Sequence, residues 1–293
     1  MRVGVSLRSA YSGIDPRTGA RWMIERAAAA SAAGLDWLFA GDHHVIGAPF
    51  YQNTPILGRL LAEWGDAPAG ALNLLPLWNP VLLSDHISTL ASIASGRFIE
   101  QCGLGGGDPQ FAAVGADERK RVSTFERNLA VIRTLLAGGD VDGSRVGPIP
   151  SEPVEVWIGG SADAAIDRAA QLGDGFLARP NITADEAGVQ VELYRERCTA
   201  HGRPVCVTAI RRDIHVGADT DDAPRVAEPA LAAGYRGFPP DALVVGGPDE
   251  VAMSFVALGE LGYTDVIVRH LADDQGDVLR SLERLADVRL LAR

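Results

Sequence analysis

Val154-Glu-Val-Trp-Ile-Gly-Gly-Ser161, then Ala162–Leu172, then Gly173-Asp-Gly-Phe-Leu-Ala178 follow one another without a break, and their order decides the fold. Val154–Ile158 is a short run of β-branched and apolar residues, the length of a buried strand. Ala162–Leu172 has helix length and is amphipathic. Gly175–Ala178 is a second short apolar run. Strand, helix and strand in that succession form a crossover unit, with the two strands parallel and the helix packed across them.

The same alternation recurs in both directions. Val3–Leu7, Trp37–Ala40, Ala69–Asn73, Phe98–Cys102, Val205–Ile214 and Asp265–Arg269 bring the strand candidates to eight. Pro16–Ala33, Thr54–Trp64, Pro80–Ser95, Arg121–Leu136, Ala184–His201, Asp249–Leu261 and Gly276–Leu290 are the other helix candidates. Gly34 suits the end of the first helix, and Pro55 sits near the start of the second, where a missing N–H costs little. Eight strand–helix units over 293 residues predict an α/β protein, a single TIM-type (β/α)8 barrel domain covering residues 1–293. Gly138–Pro153, rich in Gly, Pro and Asp, is expected as a surface excursion before strand five. Gly217–Pro240 is expected as a long loop or short helical insertion after strand seven, an edge where lids occur.

Composition narrows the function. Hydrophobic residues make up 47% and charged residues 22%, enough for a large core in a soluble protein. No segment reaches the roughly eighteen apolar residues of a spanning helix, and the N-terminus lacks a signal-peptide pattern, so no membrane partner is expected. A net charge of −11 argues against nucleic acid. Cys102, Cys198 and Cys206 show no Cys-x-x-Cys spacing, which fits a reducing cytoplasm. Lys120, the only lysine, lies in the charge run Asp117–Arg121, a poor setting for a Schiff-base nucleophile.

Barrels carry their working residues on the loops after the strands. Gly159-Gly160-Ser161 ends a strand where a helix begins, and unpaired N–H groups there attract an anion. Ser161 reads equally well as an ordinary N-cap. Gly103-Leu-Gly-Gly-Gly107 is not a dinucleotide fingerprint, because its sixth position is Asp108; the backbone of Gly105, Gly106 and Gly107 reads better as a wall for a flat ring. Asp42-His43-His44 is the candidate for proton chemistry, since histidine titrates near neutrality beside a carboxylate that can raise its pKa. The alternatives for it are a hydrogen-bonded pair closing the strand or a metal site, and without further Asp-rich motifs no metal is expected. His44, Phe50, Tyr51 and Arg179 are candidates for a substrate pocket. Trp22, Trp37 and Trp78 read as packing residues, and His86, His201, His215 and His270 as structural or exposed. Gly246-Gly-Pro-Asp-Glu250 reads as a helix start.

Taken together, Gly34-Leu-Asp-Trp-Leu-Phe-Ala-Gly-Asp-His-His44, Asn79-Pro-Val-Leu-Leu83, Ser95-Gly-Arg-Phe98, Gly103–Gly107, Val156–Ser161 with Gly173-Asp-Gly175, and Val245–Glu250 resemble the luciferase-like monooxygenase superfamily, especially its coenzyme F420 branch. The resemblance implies a cofactor ring over the barrel mouth, its phosphate near Gly160 and Ser161, with Asn73 and the Gly105–Gly107 backbone beside it. It implies His43 as the catalytic histidine, Asp42 as its acidic neighbour and Asp108 as a second acid. It also implies a non-prolyl cis peptide near Leu72–Leu74 and a homodimer. Arg179, Arg211 and Arg212 could serve the cofactor's acidic tail. Three readings follow: hydride transfer between F420 and a small alcohol, carbonyl compound or activated alkene; an FMN-dependent monooxygenase; or a non-catalytic flavin or deazaflavin binder. A phosphosugar isomerase fits the ordered motifs less well.

Overall fold

The computed structural model describes residues 1–45 and 47–292, apart from the side chain of Asp108. In chain order its first half comprises β1 (Arg2–Leu7), α1 (Pro16–Ala32), β2 (Trp37–Ala40), α2 (Asn53–Trp64), β3 (Ala69–Leu74), α3 (Pro80–Ile93), β4 (Phe98–Gly103), α4 (Asp108–Ala113) and α5 (Arg121–Leu136). The second half comprises β5 (Glu155–Gly160), α6 (Asp163–Leu172), β6 (Gly175–Ala178), α7 (Ala184–Ala200), β7 (Val207–Val216), α8 (Asp222–Ala232), β8 (Leu243–Gly246), α9 (Pro248–Leu261), β9 (Asp265–His270) and α10 (Gln275–Leu291). β1 to β7 pair in sequence, and β9 joins β7 back to β1. All these pairings are parallel, so the ring is the closed eight-stranded barrel that the alternation predicts.

Local chemistry explains the helix starts. Asp15 caps α1 by accepting from Thr18 N, and Pro16 needs no acceptor at its first position. Thr183 and Glu186 cap α7 reciprocally. Gly247 N donates to Glu250 Oε2 at 2.9 Å, so Gly246–Glu250 does begin a helix, α9.

Two features depart from expectation, the end of β7 and the place of the cis bond, while the insertion expected at Gly217–Pro240 is helical. β7 runs on to Val216 because its last residues, Asp213–Val216, pair with β8, a ninth strand outside the ring. Gly217–Pro240 holds the 11-residue α8. The cis bond among the described residues is Gly147–Pro148, and the peptides around Leu72–Leu74 are trans. There β3 leads directly into a 3-10 turn, Leu75–Leu77. Gly138–Pro153 is an excursion with only a Val141–Ser144 bridge.

Side chains alternate along each strand, so each wall has an inner and an outer face. Trp37, Phe39, Ile99, Trp157, Ala209 and Ile267 form the inner cluster. Trp37 and Trp157 meet edge-to-face with centroids 5.2 Å apart. Gly175 leaves room for them, since a Cβ there would lie 2.8 Å from the Trp157 ring. Beneath, buried Asp265 accepts from Trp37 Nε1 and Arg2 Nη2, both at 2.8 Å. The larger outer core, including Val5, Leu38, Phe176 and Val268, packs between barrel and helices. The lower barrel is therefore filled, and the polar residues gather at the C-terminal mouth.

Candidate active site

Asp42, His43 and His44 follow β2. Asp42 is buried, and its Oδ2 accepts from Leu74 N at 2.9 Å and Trp78 Nε1 at 2.8 Å. Its Oδ1 lies 3.0 Å from His44 Nε2. The carboxylate thus orients His44 rather than His43. His44 N also donates to Gln110 Oε1 at 3.1 Å, tying the loop to α4, and its ring stands 5.7 Å from that of Trp78. The His43 ring is half-buried and packs edge-on against Phe50 at 6.0 Å.

The two imidazoles are driven apart electrostatically. Burial lowers the His43 pKa, with Asp42 pulling the other way. The hydrogen bond to Asp42 raises that of His44 against its own burial. Neighbouring groups pushed in opposite directions mark distinct acid–base roles. His43 is the one held neutral near pH 7.

After β5, Gly159 and Gly160 finish the strand, and α6 starts at Asp163 with Ala162 in the cap position and no side-chain cap. Ser161 therefore is not the N-cap. A side chain at Gly160 would collide with Ala165. Arg179 Nη1 lies 3.5 Å from Ser161 Oγ, so Arg179 flanks this turn. Open N–H groups, a hydroxyl and a guanidinium converge here, a donor set suited to a phosphate. The parallel register brings this turn and His43 to the same end of the barrel.

Across the mouth, Arg211 and Asp213 of β7 and Arg269 of β9 share the inner face, because Arg211 is in register with Ile267 and Asp213 with Arg269. Asp213 accepts from Arg211 at 2.8 and 3.1 Å and from Tyr235 Oη at 2.8 Å. Burial works to raise the Asp213 pKa, but Arg211 and Arg269 outweigh it and hold the group ionised.

Several sequence expectations fall elsewhere. Asn73 is fully buried on the outer face, accepting from Asn53 Nδ2 at 2.7 Å and donating to both Glu100 oxygens at 2.9 and 3.0 Å. With its amide committed there, it offers the mouth nothing for a cofactor. Tyr51 turns onto α1, its hydroxyl bonded to Pro16 O and its ring over Gly19, away from any pocket. Arg212 points outward toward Pro180 O at 3.5 Å and does not join a basic groove. Gly105, Gly106 and Gly107 border the mouth between β4 and α4, with Gly105 and Gly107 at positive φ. The Asp108 side chain lies outside the described residues. Trp78, read as packing, holds Asp42 instead.

Glu100 was not anticipated. Burial raises its pKa well above the carboxylate range, and the nearby Asp42 charge adds to this against the Asn73 hydrogen bond. The folded state therefore keeps a proton there that the unfolded chain releases near pH 4.5. Stability should fall as pH rises above about 4.5, by up to about 1.4 kcal/mol per unit, until the folded pKa is passed. Urea unfolding of Glu100→Gln should show this slope removed.

The turn after β5, with its donor set, and the half-buried His43 after β2 thus stand at the same end of a filled barrel. The model of the luciferase-like monooxygenase family matches residues 1–252, and the chain belongs to that family. It is 24% identical over 236 residues to an F420-dependent glucose-6-phosphate dehydrogenase of Nakamurella multipartita, covering 73% of this chain and 69% of that protein. It spans 61% of two further dehydrogenases of that name, from Amycolatopsis mediterranei and Kribbella flavida. The fold matches an F420-dependent secondary alcohol dehydrogenase in complex with an F420–acetone adduct, with TM-score 0.80, 15% identity and coverage of 100% and 99%. It also matches an FMN-bound type II Baeyer–Villiger monooxygenase of Pseudomonas putida, with TM-score 0.78, 17% identity and coverage of 98% and 96%.

Proposed function

We propose that this chain is an oxidoreductase that moves a hydride between coenzyme F420 and a small organic substrate, with His43 handling the substrate proton. The observation that carries the reading is the donor set at Gly160, Ser161 and Arg179, open toward the same mouth as a neutral His43. When bound, the deazaflavin supplies a carbon centre that gives or takes a hydride. The uncapped start of α6 would hold its phosphate, and the Gly105–Gly107 backbone would border its ring. Phe50 shields the His43 imidazole from water on one side. His43 takes the hydroxyl proton when an alcohol is oxidised and returns it in the reverse direction. His44, fixed by Asp42, shapes the loop that presents His43.

The sequence relatives named for F420 favour this cofactor over FMN, although the FMN-bound fold neighbour keeps a monooxygenase as the second reading. Titration of the purified protein with each cofactor separates them. Micromolar binding of F420 is expected, and FMN binding without F420 binding defeats the proposal. The reading includes a single catalytic domain working as a cytoplasmic homodimer, which sedimentation of the purified protein checks for association.

A further inference from the structure

We propose that the β7–β9 wall of the mouth seats an acidic group on the substrate, so that the substrate is an organic carboxylate or phosphate; this rests on the function proposed above. Three guanidinium groups, of Arg211, Arg236 and Arg269, surround one carboxylate, Asp213. That carboxylate is already engaged: Arg211 takes both oxygens, Tyr235 Oη donates to Oδ2, and Arg236 Nη1 reaches it at 3.5 Å. The Arg269 side chain forms no hydrogen bond or ion pair among the described residues, although its fork carries five N–H donors. Burial, followed by repulsion from Arg211, lowers its pKa to about 10, so it stays charged at neutral pH.

The wall therefore holds two more positive than negative charges in a protein whose net charge is −11. Unbalanced cations in a partly dry wall are costly unless an anion joins them. Arg236 adds a second sign of purpose. It adopts a left-handed conformation (φ 49°, ψ 16°), between Gly234 and Gly237, and leans over Phe238 at 5.1 Å while reaching back to Asp213. Non-glycine residues seldom adopt that conformation and cluster at active sites and ligand clamps when they do. Arg236 also helps lower the His43 pKa, so the wall is within electrostatic reach of the proposed base. In the ring only β1 separates β9 from β2, and only β6 separates β7 from β5, so the wall lies between the His43 loop and the Ser161 turn. An oxyanion here would set the reacting carbon beside His43 and leave the phosphate turn free.

Inorganic phosphate serves as the probe, followed by isothermal titration without cofactor. Ser161→Asp closes the turn after β5, so the Ser161→Asp protein should still bind phosphate saturably. Adding Arg269→Met or Arg236→Gln to it should weaken that binding at least about tenfold. The second replacement lies on a turn outside the barrel strands, which guards against a folding defect in the first; circular dichroism checks both. No saturable binding by Ser161→Asp, or binding unaltered by either arginine change, overturns the proposal. F420 titration of the otherwise unaltered chain carrying Arg269→Met or Arg236→Gln should match the parent. Loss of F420 affinity would give the wall to the cofactor's acidic tail and overturn it too. Failure of the F420 reading itself appears separately, as a parent that binds no F420, because the phosphate arm uses none.

Discussion

Replacing His43 by alanine is expected to lower kcat by about 10²–10⁴-fold, the usual share of a positioned general base. F420 affinity should change little, since the imidazole is not among the groups proposed to hold the phosphate. The pH profile carries more information than the loss alone. Burial sets the His43 pKa below that of an ordinary histidine, so the ring is neutral and ready to accept a proton at pH 7. Alcohol oxidation should therefore hold its rate down to below about pH 6.5 and fall on an acid limb under that value. His43→Ala should lose that limb. Turnover equal to the parent's would remove His43 from the chemistry, and a parent with no turnover on any alcohol, aldehyde or enone would favour a cofactor carrier.

The second large effect falls on Asp42. In Asp42→Ala, Leu74 N and Trp78 Nε1 lose their acceptor at part-buried positions. Each such orphaned donor costs about 1–3 kcal/mol, so urea unfolding should report a loss of about 2–6 kcal/mol. The loss should depend on pH. His44 has a raised pKa when folded, so its bond to Asp42 stabilises the fold fully below the unfolded value of about 6.5 and ceases to do so as pH rises through the folded value. The gap between parent and variant should be wider at pH 6 than at pH 8. An equal gap at both would mean that His44 draws nothing from the carboxylate. Activity should also fall, through displacement of the loop that presents His43.

The barrel was legible because its signals are local. Eight short apolar runs separated by amphipathic stretches, with Gly34, Pro55 and Gly246–Glu250 marking helix ends, carry the order of elements. β8 escaped because four residues beside a long loop carry almost no periodic signal, and its pairing with the end of β7 is a long-range event. The position of His43, Gly160 and Ser161 at the C-terminal mouth was legible, because each stands at or just after the end of a strand. The direction of side chains at the strand ends was not, because the sequence does not say which face is inner. Asn73 shows the difficulty: at the end of β3 it looked like a mouth residue, but its phase turns it outward to Asn53 and Glu100. Arg211, Asp213 and Arg269 show the same difficulty from the other side, since Arg212 between the first two turns outward and only the pairing of β7 with β9 gathers the three on the inner face. Asp42 paired with the second histidine rather than the first because the turn after β2 aims Oδ1 at His44 Nε2, a choice that adjacency in sequence cannot reveal.

The edge-to-face indoles of Trp37 and Trp157, with Arg2 and Asp265 beneath them, fill the lower barrel, so a cofactor and a substrate bound as proposed would share the upper opening. Two molecules that share a doorway cannot pass each other inside it. If cofactor and substrate bind as proposed, the deeper guest arrives first and departs last, and an obligatory order in product-inhibition kinetics would trace back to this aromatic floor.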